Sequence, residues 1–131
     1  MIRLLATVLL AGGAVAVTAP AANADTLTCL APVTTVQTEN NQAIQYDRAG
    51  DAASAASAEA NAVYYENTAR STCYFNPSVP YSAYQDAING FSYVDAARAA
   101  NNVGNVPDAF DDEQTAASYL SAAIALLYRA P

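Results

Sequence analysis

The chain offers few side chains that could carry out catalysis. It has no His, so the most common general base is missing and Ser-His-Asp or Cys-His sites are excluded. Its positive charges beyond the N-terminus are four scattered arginines, Arg48, Arg70, Arg98 and Arg129, and it has no Lys. A site for a dianionic substrate would need such cations to be clustered. The sequence therefore predicts no catalytic residue and no cofactor.

Acidic residues are more plentiful, and two groups of them are candidates for metal binding or for paired-carboxylate catalysis. Asp108, Asp111, Asp112 and Glu113 resemble a calcium loop in composition, but the EF-hand pattern fails because Pro107 stands where Gly is required. We interpret this group as the charged start of a helix, favoured there by the helix dipole, and predict no metal ligands.

Glu59 and Glu66 form the other acidic group. They lie seven residues apart on one predicted helix stripe, or about 10 Å. That separation is wide even for the carboxylate pair of an inverting glycosidase. We expect both side chains to be solvated.

Two cysteines, Cys29 and Cys73, are the strongest chemical signal. A zinc site would need more N or S ligands, and a redox site would need a Cys-x-x-Cys pair. In an exported chain the simplest prediction is a structural disulfide. By the chain-entropy relation, a bond closing this span would stabilise the fold by about 4 kcal/mol.

Aromatic residues surround a connector that contains Pro77 and Pro80. The sequence predicts an interaction surface for protein, peptide or sugar there, because exposed aromatic rings favour such contacts. The alternative is that these rings cap a thin core where two helices meet. The residues are Tyr74, Phe75, Tyr81 and Tyr84.

The N-terminus predicts export. Arg3 precedes an apolar run from Leu4 to Val17, and Ala22-Asn23-Ala24 forms a small-x-small cleavage box. The run is shorter than the roughly 20 residues of a membrane-spanning helix. We expect residues 1–24 to be a signal peptide and residues 25–131 to be a single α-helical domain that is secreted, either periplasmic or extracellular, with no membrane span.

Composition limits the partners. The whole chain has a formal net charge of −7, and loss of Arg3 with the signal would make it −8. So acidic a chain is repelled by nucleic acid and anionic membranes. It is rich in Ala and poor in large aliphatic residues, so we expect a folded domain with a thin core that needs a covalent staple.

The sequence predicts that the elements that position these residues are helices. Residues 33–75 favour helix throughout, but Gly50-Asp51 gives a C′ glycine followed by an N-cap. A straight helix from Val36 to Cys73 would be roughly 55 Å long and would keep the cysteines apart. A turn at Gly50, with Cys29 in an extended lead-in, would bring them together. The predicted apolar helix face in this region, marked by a spacing of 4-3-4-3, is Ala49, Ala53, Ala56, Ala60 and Val63.

Two further helices are predicted, at about 81–101 and 111–128. Gly90 inside the first of them could mark another turn. The predicted inward positions are Tyr84, Ala87, Ile88, Phe91, Val94 (or Tyr93), Ala97 and Ala100 on the third helix and Ala116, Leu120, Ala123, Ile124 and Leu127 on the fourth. The fold class is all-α: a small antiparallel helical bundle of three to four helices with an N-terminal disulfide-clamped αα-hairpin.

We aligned the sequence with itself so that Gly50 matches Gly90, and this alignment gives only weak evidence of an internal repeat. The remaining matches in that alignment are mainly alanines, which a chain so rich in Ala produces by chance. The stretch Tyr46…Gly50-Asp51…Ala55 resembles the hairpin of a tetratricopeptide repeat, although Ala and Ser stand where that family has large residues. That resemblance implies a helical-repeat binding module.

The leading functional interpretation is an exported, non-enzymatic protein with an interaction or structural role. The alternatives are a small secreted enzyme or ligand carrier with a pocket between helices, and the tetratricopeptide-like module. A buried pocket lined by polar side chains would favour an enzyme or carrier. An exposed aromatic patch beside a packed core would favour the interaction role.

Overall fold

A computed structural model describes residues 24–131, which form four long helices after a short 3-10 turn at Ala24–Thr26. The helices are α1 (Leu27–Arg48), α2 (Ala52–Tyr74), α3 (Tyr81–Asn102) and α4 (Val106–Arg129). Each helix packs mainly on two others, in the cyclic order α1, α2, α3, α4, so the described residues form an up-down-up-down four-helix bundle. The predicted all-α bundle is confirmed. The predicted signal peptide lies outside the described residues, apart from Ala24.

The turn between α1 and α2 is the one that Gly50-Asp51 predicted. Gly50 has a φ of +76°, which a residue with a Cβ rarely adopts. Its N–H donates to the Asp47 carbonyl at 3.0 Å, and the Asp51 N–H donates to the Tyr46 carbonyl at 2.9 Å, as in a Schellman cap. The Asp51 side chain then accepts from the Ser54 N–H at 3.0 Å and starts α2.

The predicted disulfide is present and clamps the open end of this hairpin. Cys29 and Cys73 are bonded with a Cα–Cα distance of 4.6 Å, and both are buried. The expected extended lead-in is wrong, because α1 already begins at Leu27 and includes Pro32. Pro32 costs α1 one backbone hydrogen bond without ending it. Cys29 and Cys73 lie at similar distances along the chain from Gly50, so two helical arms bring them level.

The second hairpin, α3–α4, repeats the first one, with Gly104 in the place of Gly50. Gly104 has the same φ of +76°, and its N–H donates to the Asn101 carbonyl at 3.0 Å. Asn105 caps α4 by accepting from the Asp108 N–H at 3.3 Å. The turn considered at Gly90 is wrong, because Gly90 is buried inside α3. Setting Gly50 on Gly90 therefore does not relate equivalent positions.

Burial follows the same repeat. Many positions related by setting Gly50 on Gly104 are buried together, and α2 packs on α3 about as extensively as α4 packs on α1, as an approximate twofold relation between the hairpins requires. The buried alanine pairs are Ala43 and Ala97, Ala55 and Ala109, Ala62 and Ala116, and Ala69 and Ala123.

The apolar core is unevenly distributed along the bundle. Large buried side chains, such as Phe91, Leu120 and Leu127, belong to a cluster that also contains the disulfide. A second cluster, near the Gly50 turn, contains only alanines. The end of the bundle that carries both hairpin turns therefore has only small apolar side chains in this cluster. We call it the turn end.

The predicted inward faces of α3 and α4 are confirmed at most positions, but that of α2 is wrong. Ala49 and Ala53 are exposed, and Ala56, Ala60 and Val63 are half-buried. The buried face of α2 includes Glu59 and Glu66 among its alanines. Alanine occurs on every side of α2, so its spacing did not identify the face that packs. Helix α4 begins at Val106, five residues before the predicted start.

Among residues 24–131, no helix combines the length and the apolar character needed to cross a membrane. The disulfide is of the kind that persists in oxidising compartments.

Candidate functional site

Three of the four glutamates in the chain are buried. Glu59, Glu66 and Glu113 are each no more than 1% exposed, although carboxylates are rarely buried without a partner. The expectation that Glu59 and Glu66 are solvated is wrong. Glu113 does not belong to an exposed helix start either, because it lies on the second turn of α4 and faces the bundle interior.

Two of these glutamates meet a third acidic residue inside the bundle, where each helix contributes one polar side chain. We call this group the carboxylate cluster: Asp47 of α1, Glu59 of α2, Asn101 of α3 and Glu113 of α4. One carboxylate oxygen from each of the three acidic residues lies within 4.8 Å of the others. None of the four side chains is more than 4% exposed.

The internal repeat explains how the cluster is assembled. Asp47 and Asn101 each stand three residues before a turn glycine, and Glu59 and Glu113 each stand nine residues after it. The sequences are Asp-x2-Gly-Asp-x7-Glu and Asn-x2-Gly-Asn-x7-Glu. The Schellman caps fix the last turn of α1 and α3 relative to the start of α2 and α4. Equivalent positions of the two hairpins therefore converge in the interior of the turn end.

Asn101 lies between the three carboxylates. Its Nδ2 donates to Asp47 Oδ2 at 2.8 Å, and it lies 3.1 and 3.3 Å from the two oxygens of Glu59. It is also 3.3 Å from Glu113 Oε2. A primary amide nitrogen has two hydrogens for these four contacts. Buried oxygens without a hydrogen-bond partner remain at Asp47 Oδ1, Asn101 Oδ1 and Glu113 Oε1.

The electrostatics of the cluster disfavour ionised glutamates in the absence of a compensating cation. Burial raises the pKa of Glu113 to about 10, and hydrogen bonds with Glu59 and Asp47 add to that shift. Burial also raises the pKa of Glu59, and the charge of Asp47 adds to the effect, whereas hydrogen bonds with Glu113 and Asn101 and the charge of Arg98 oppose it. The interior must therefore bind either protons or a cation.

Neighbouring arginines do not neutralise the cluster by direct contact. Arg48, next to Asp47 in sequence, is exposed and lies over the ring of Phe110 at 5.8 Å. Arg98 is near enough to lower the pKa of Glu59. Among residues 24–131, the salt bridge that forms joins Arg70 Nη2 to Glu66 Oε1 at 3.6 Å, and both residues lie outside the cluster.

Glu66 is a separate buried carboxyl. Its Oε1 lies 3.6 Å from Arg70 Nη2, and Arg70 also lies over the ring of Phe91 at 5.5 Å. Its Oε2 has no hydrogen-bond partner. Burial, with a contribution from Asp95, raises the pKa of Glu66 to about 8, and Arg70 opposes the shift.

The aromatic residues of the connector come together at the opposite end of the bundle, next to the disulfide. Tyr74 contacts Phe75 with ring centroids 5.0 Å apart and Tyr84 with centroids 5.4 Å apart, and Tyr84 contacts Tyr81 at 6.2 Å. Tyr74, Phe75 and Tyr81 are 61%, 77% and 69% exposed. Only Tyr84 is half-buried against the core, so three of the rings do not cap it. We call these four residues the aromatic patch.

The base of the aromatic patch is braced. The disulfide holds Cys73, the residue before Tyr74, to α1. The Asn76 side-chain amide donates to the Asp25 carbonyl and to Thr28 Oγ1 at the start of α1. Asn76 Oδ1 also accepts from the Ser78 N–H at 2.9 Å. The connector is therefore tied to the N-terminal end of α1 by covalent and hydrogen bonds.

No protein-family model matches the chain, and neither a curated protein nor a solved structure does. The site must therefore be interpreted from its own residues.

Sequence reasoning identified the cysteines and the aromatic patch but not the carboxylate cluster. Composition alone made Glu59 and Glu113 look like surface residues. The signal that could have revealed the cluster is the pair of Gly-Asp and Gly-Asn turns, each followed eight residues later by Glu. Setting Gly50 on Gly104 superposes these turns.

Proposed function

We propose that this protein is exported and non-enzymatic, and that it uses the aromatic patch to bind a basic segment of another protein. The observation that carries the proposal is a continuous group of rings on a braced base: exposed Tyr74 contacts exposed Phe75, and half-buried Tyr84 joins Tyr74 to exposed Tyr81. Contiguous exposed apolar surface on a small protein marks an interaction site more often than scattered exposed residues do.

The chemistry of the partner follows from charge. The chain has a formal net charge of −7, which is still −4 when the three buried glutamates are protonated (−7 + 3), so it attracts cationic partners over a distance and repels anionic ones. Aromatic faces bind Arg and Lys side chains through cation–π contacts worth about 0.5–2 kcal/mol each. Acidic surface and aromatic patch together favour a protein segment rich in Arg or Lys.

Export is supported by two features. The first is the signal-like N-terminus, and the second is the buried disulfide between Cys29 and Cys73. A periplasmic or an extracellular location is compatible with both.

The alternative roles receive less support from the described residues. A depression on the surface of α1 is open to solvent, and a single helix supplies its lining residues Thr38, Asn41, Gln42 and Gln45. An enzyme or carrier would favour a concave site with converging groups from several elements. The internal repeat, measured from Gly50 to Gly104, is also longer than the roughly 34 residues typical of a tetratricopeptide unit.

The test is direct titration of synthetic peptides into the exported protein. We expect an Arg- and Lys-rich peptide to bind with an affinity that falls as salt rises, and an acidic peptide of equal length not to bind. Replacing Tyr74 and Phe75 together by Ala should weaken binding at least tenfold. The matched control replaces Tyr64 and Tyr65, a second exposed pair in contact at 5.2 Å, and should leave binding unchanged.

Two results would contradict the proposal. Equal binding by both double variants would mean that net charge acts without the aromatic patch. Tighter binding of an uncharged peptide or an oligosaccharide would mean that the patch recognises another chemistry.

A further inference from the structure

When its three acidic side chains are ionised, the carboxylate cluster has too few donors for its acceptors. Its three carboxylates can accept hydrogen bonds from several directions, yet the Asn101 amide, with two N–H groups, is the donor that contacts all of them. Every side-chain atom left without a partner there is an oxygen: Asp47 Oδ1, Asn101 Oδ1 and Glu113 Oε1. Leaving a buried acceptor unpaired is unfavourable, and more so when it is charged.

A metal cation would supply what these oxygens lack. It would also offset the mutual repulsion of three acidic side chains that the fold holds within 4.8 Å of one another. The residue types decide which kind of cation fits. The cluster contains carboxylates and an amide, with no His and no Cys, and such all-oxygen sets suit the hard cations calcium, magnesium and manganese.

We propose that the carboxylate cluster is a calcium site, with the carboxylates of Asp47, Glu59 and Glu113 and the amide oxygen of Asn101 as its protein ligands. A half-turn of the Asn101 amide exchanges its nitrogen and oxygen and directs Oδ1 at the three carboxylates. The amide that donates to the carboxylates in the metal-free protein thereby becomes a fourth ligand.

Ligand number and burial favour calcium over magnesium. Calcium takes about six to eight oxygen ligands at about 2.3–2.6 Å in flexible geometry, and three carboxylates that can each bind through two oxygens, together with one amide oxygen, can supply most of them. Magnesium requires about 2.0–2.1 Å and usually keeps several waters. The four cluster residues are at most 4% exposed, which leaves little access for a hydrated ion.

The internal repeat is a second line of support, because it places the ligands in two equivalent pairs. Asp47 and Asn101 approach from the ends of α1 and α3, and Glu59 and Glu113 approach from α2 and α4. The interior thus has one ligand per helix, an arrangement by which helical bundles build metal sites. Asn101 occupies the position that Asp47 holds in the first hairpin, so the site has three acidic ligands and one amide.

The experiment uses the exported protein, stripped of metal with a chelator and then dialysed. Calcium chloride and magnesium chloride are titrated separately by calorimetry, and melting curves are recorded with and without each salt. We expect saturable binding of one calcium per chain, weaker binding of magnesium, and a melting temperature several degrees higher with saturating calcium.

Glu113→Gln and Asn101→Ala test whether the cluster is the site. Both should weaken calcium binding at least tenfold and reduce the calcium-dependent rise in melting temperature. The control is Glu66→Gln, which makes the same change at a buried glutamate outside the cluster and should leave calcium affinity unchanged. Glu113→Gln removes a buried acid, so we expect it to fold without calcium.

The proposal is overturned if calcium fails to bind at millimolar concentration, which would leave protonated carboxyls as the resting state of the interior. It is also overturned if calcium binds the wild type and Glu113→Gln equally well, because the ion would then lie elsewhere on this acidic chain.

Discussion

Glu66→Gln is expected to make the protein more stable above neutral pH and to leave its stability almost unchanged in acid. Glu66 is 1% exposed, with Arg70 on its own helix and Asp95 of α3 as its charged neighbours. Its pKa is raised from 4.5 to about 8 in the folded protein. Gln keeps the shape of the protonated acid but cannot ionise.

The magnitude follows from linkage between proton binding and folding. Below pH 4.5 both the folded and the unfolded states carry the proton on Glu66. As pH rises from 4.5 to about 8, the unfolded chain loses this proton while the folded chain retains it, so the free energy of unfolding decreases. Each pKa unit corresponds to about 1.4 kcal/mol, so the full shift is on the order of a few kcal/mol and at most about 5.

The assay is urea unfolding of the wild type and Glu66→Gln at intervals from pH 4.5 to 8.5, with a chelator present. The free energy of unfolding of the variant minus that of the wild type should grow steadily with pH. Glu39→Gln, at the half-buried glutamate of α1, is the matched control and should show no comparable growth. Glu59 and Glu113 add a pH dependence of the same sign, but it is common to all three proteins. A difference for Glu66→Gln that is the same at pH 5 and pH 8.5 would refute the reasoning.

Three further perturbations test the fold and its processing. Cys73→Ser, or reduction of the wild type, should lower the free energy of unfolding by about 2–4 kcal/mol, and an unchanged melting temperature would contradict this. Gly90→Val should lower the free energy of unfolding, measured by chemical denaturation, by about 1–3 kcal/mol, because a Cβ there would lie 2.9 Å from the Leu120 side chain and overpack the core. The control is Ser92→Val, at an exposed position of α3. Mass spectrometry of the exported protein should find Asp25 as its first residue, and intact Met1 in the exported fraction would refute cleavage after Ala24.

The features that sequence reasoning predicted well are those that local chemistry decides. Gly50 can adopt a positive φ, and Asp51 can cap the following helix, so the position of the first turn could be inferred from two adjacent residues. Once that turn was inferred, helix geometry brought Cys29 close to Cys73, and the disulfide followed. The grouping of the aromatic patch was also predictable, because its members lie close together in the chain.

Burial of the glutamates was decided only by the tertiary structure. Alanine lies on every side of α2, so its apolar spacing did not distinguish the face that carries Glu59 and Glu66 from the exposed face. The contacts with α1 and α3 selected that face. The carboxylate cluster depends on four helices and joins Asp47 to Glu113, and no local pattern encodes such a distance. A side chain's helical position can be inferred from its neighbours in sequence, whereas its environment is set by the helices that pack around it.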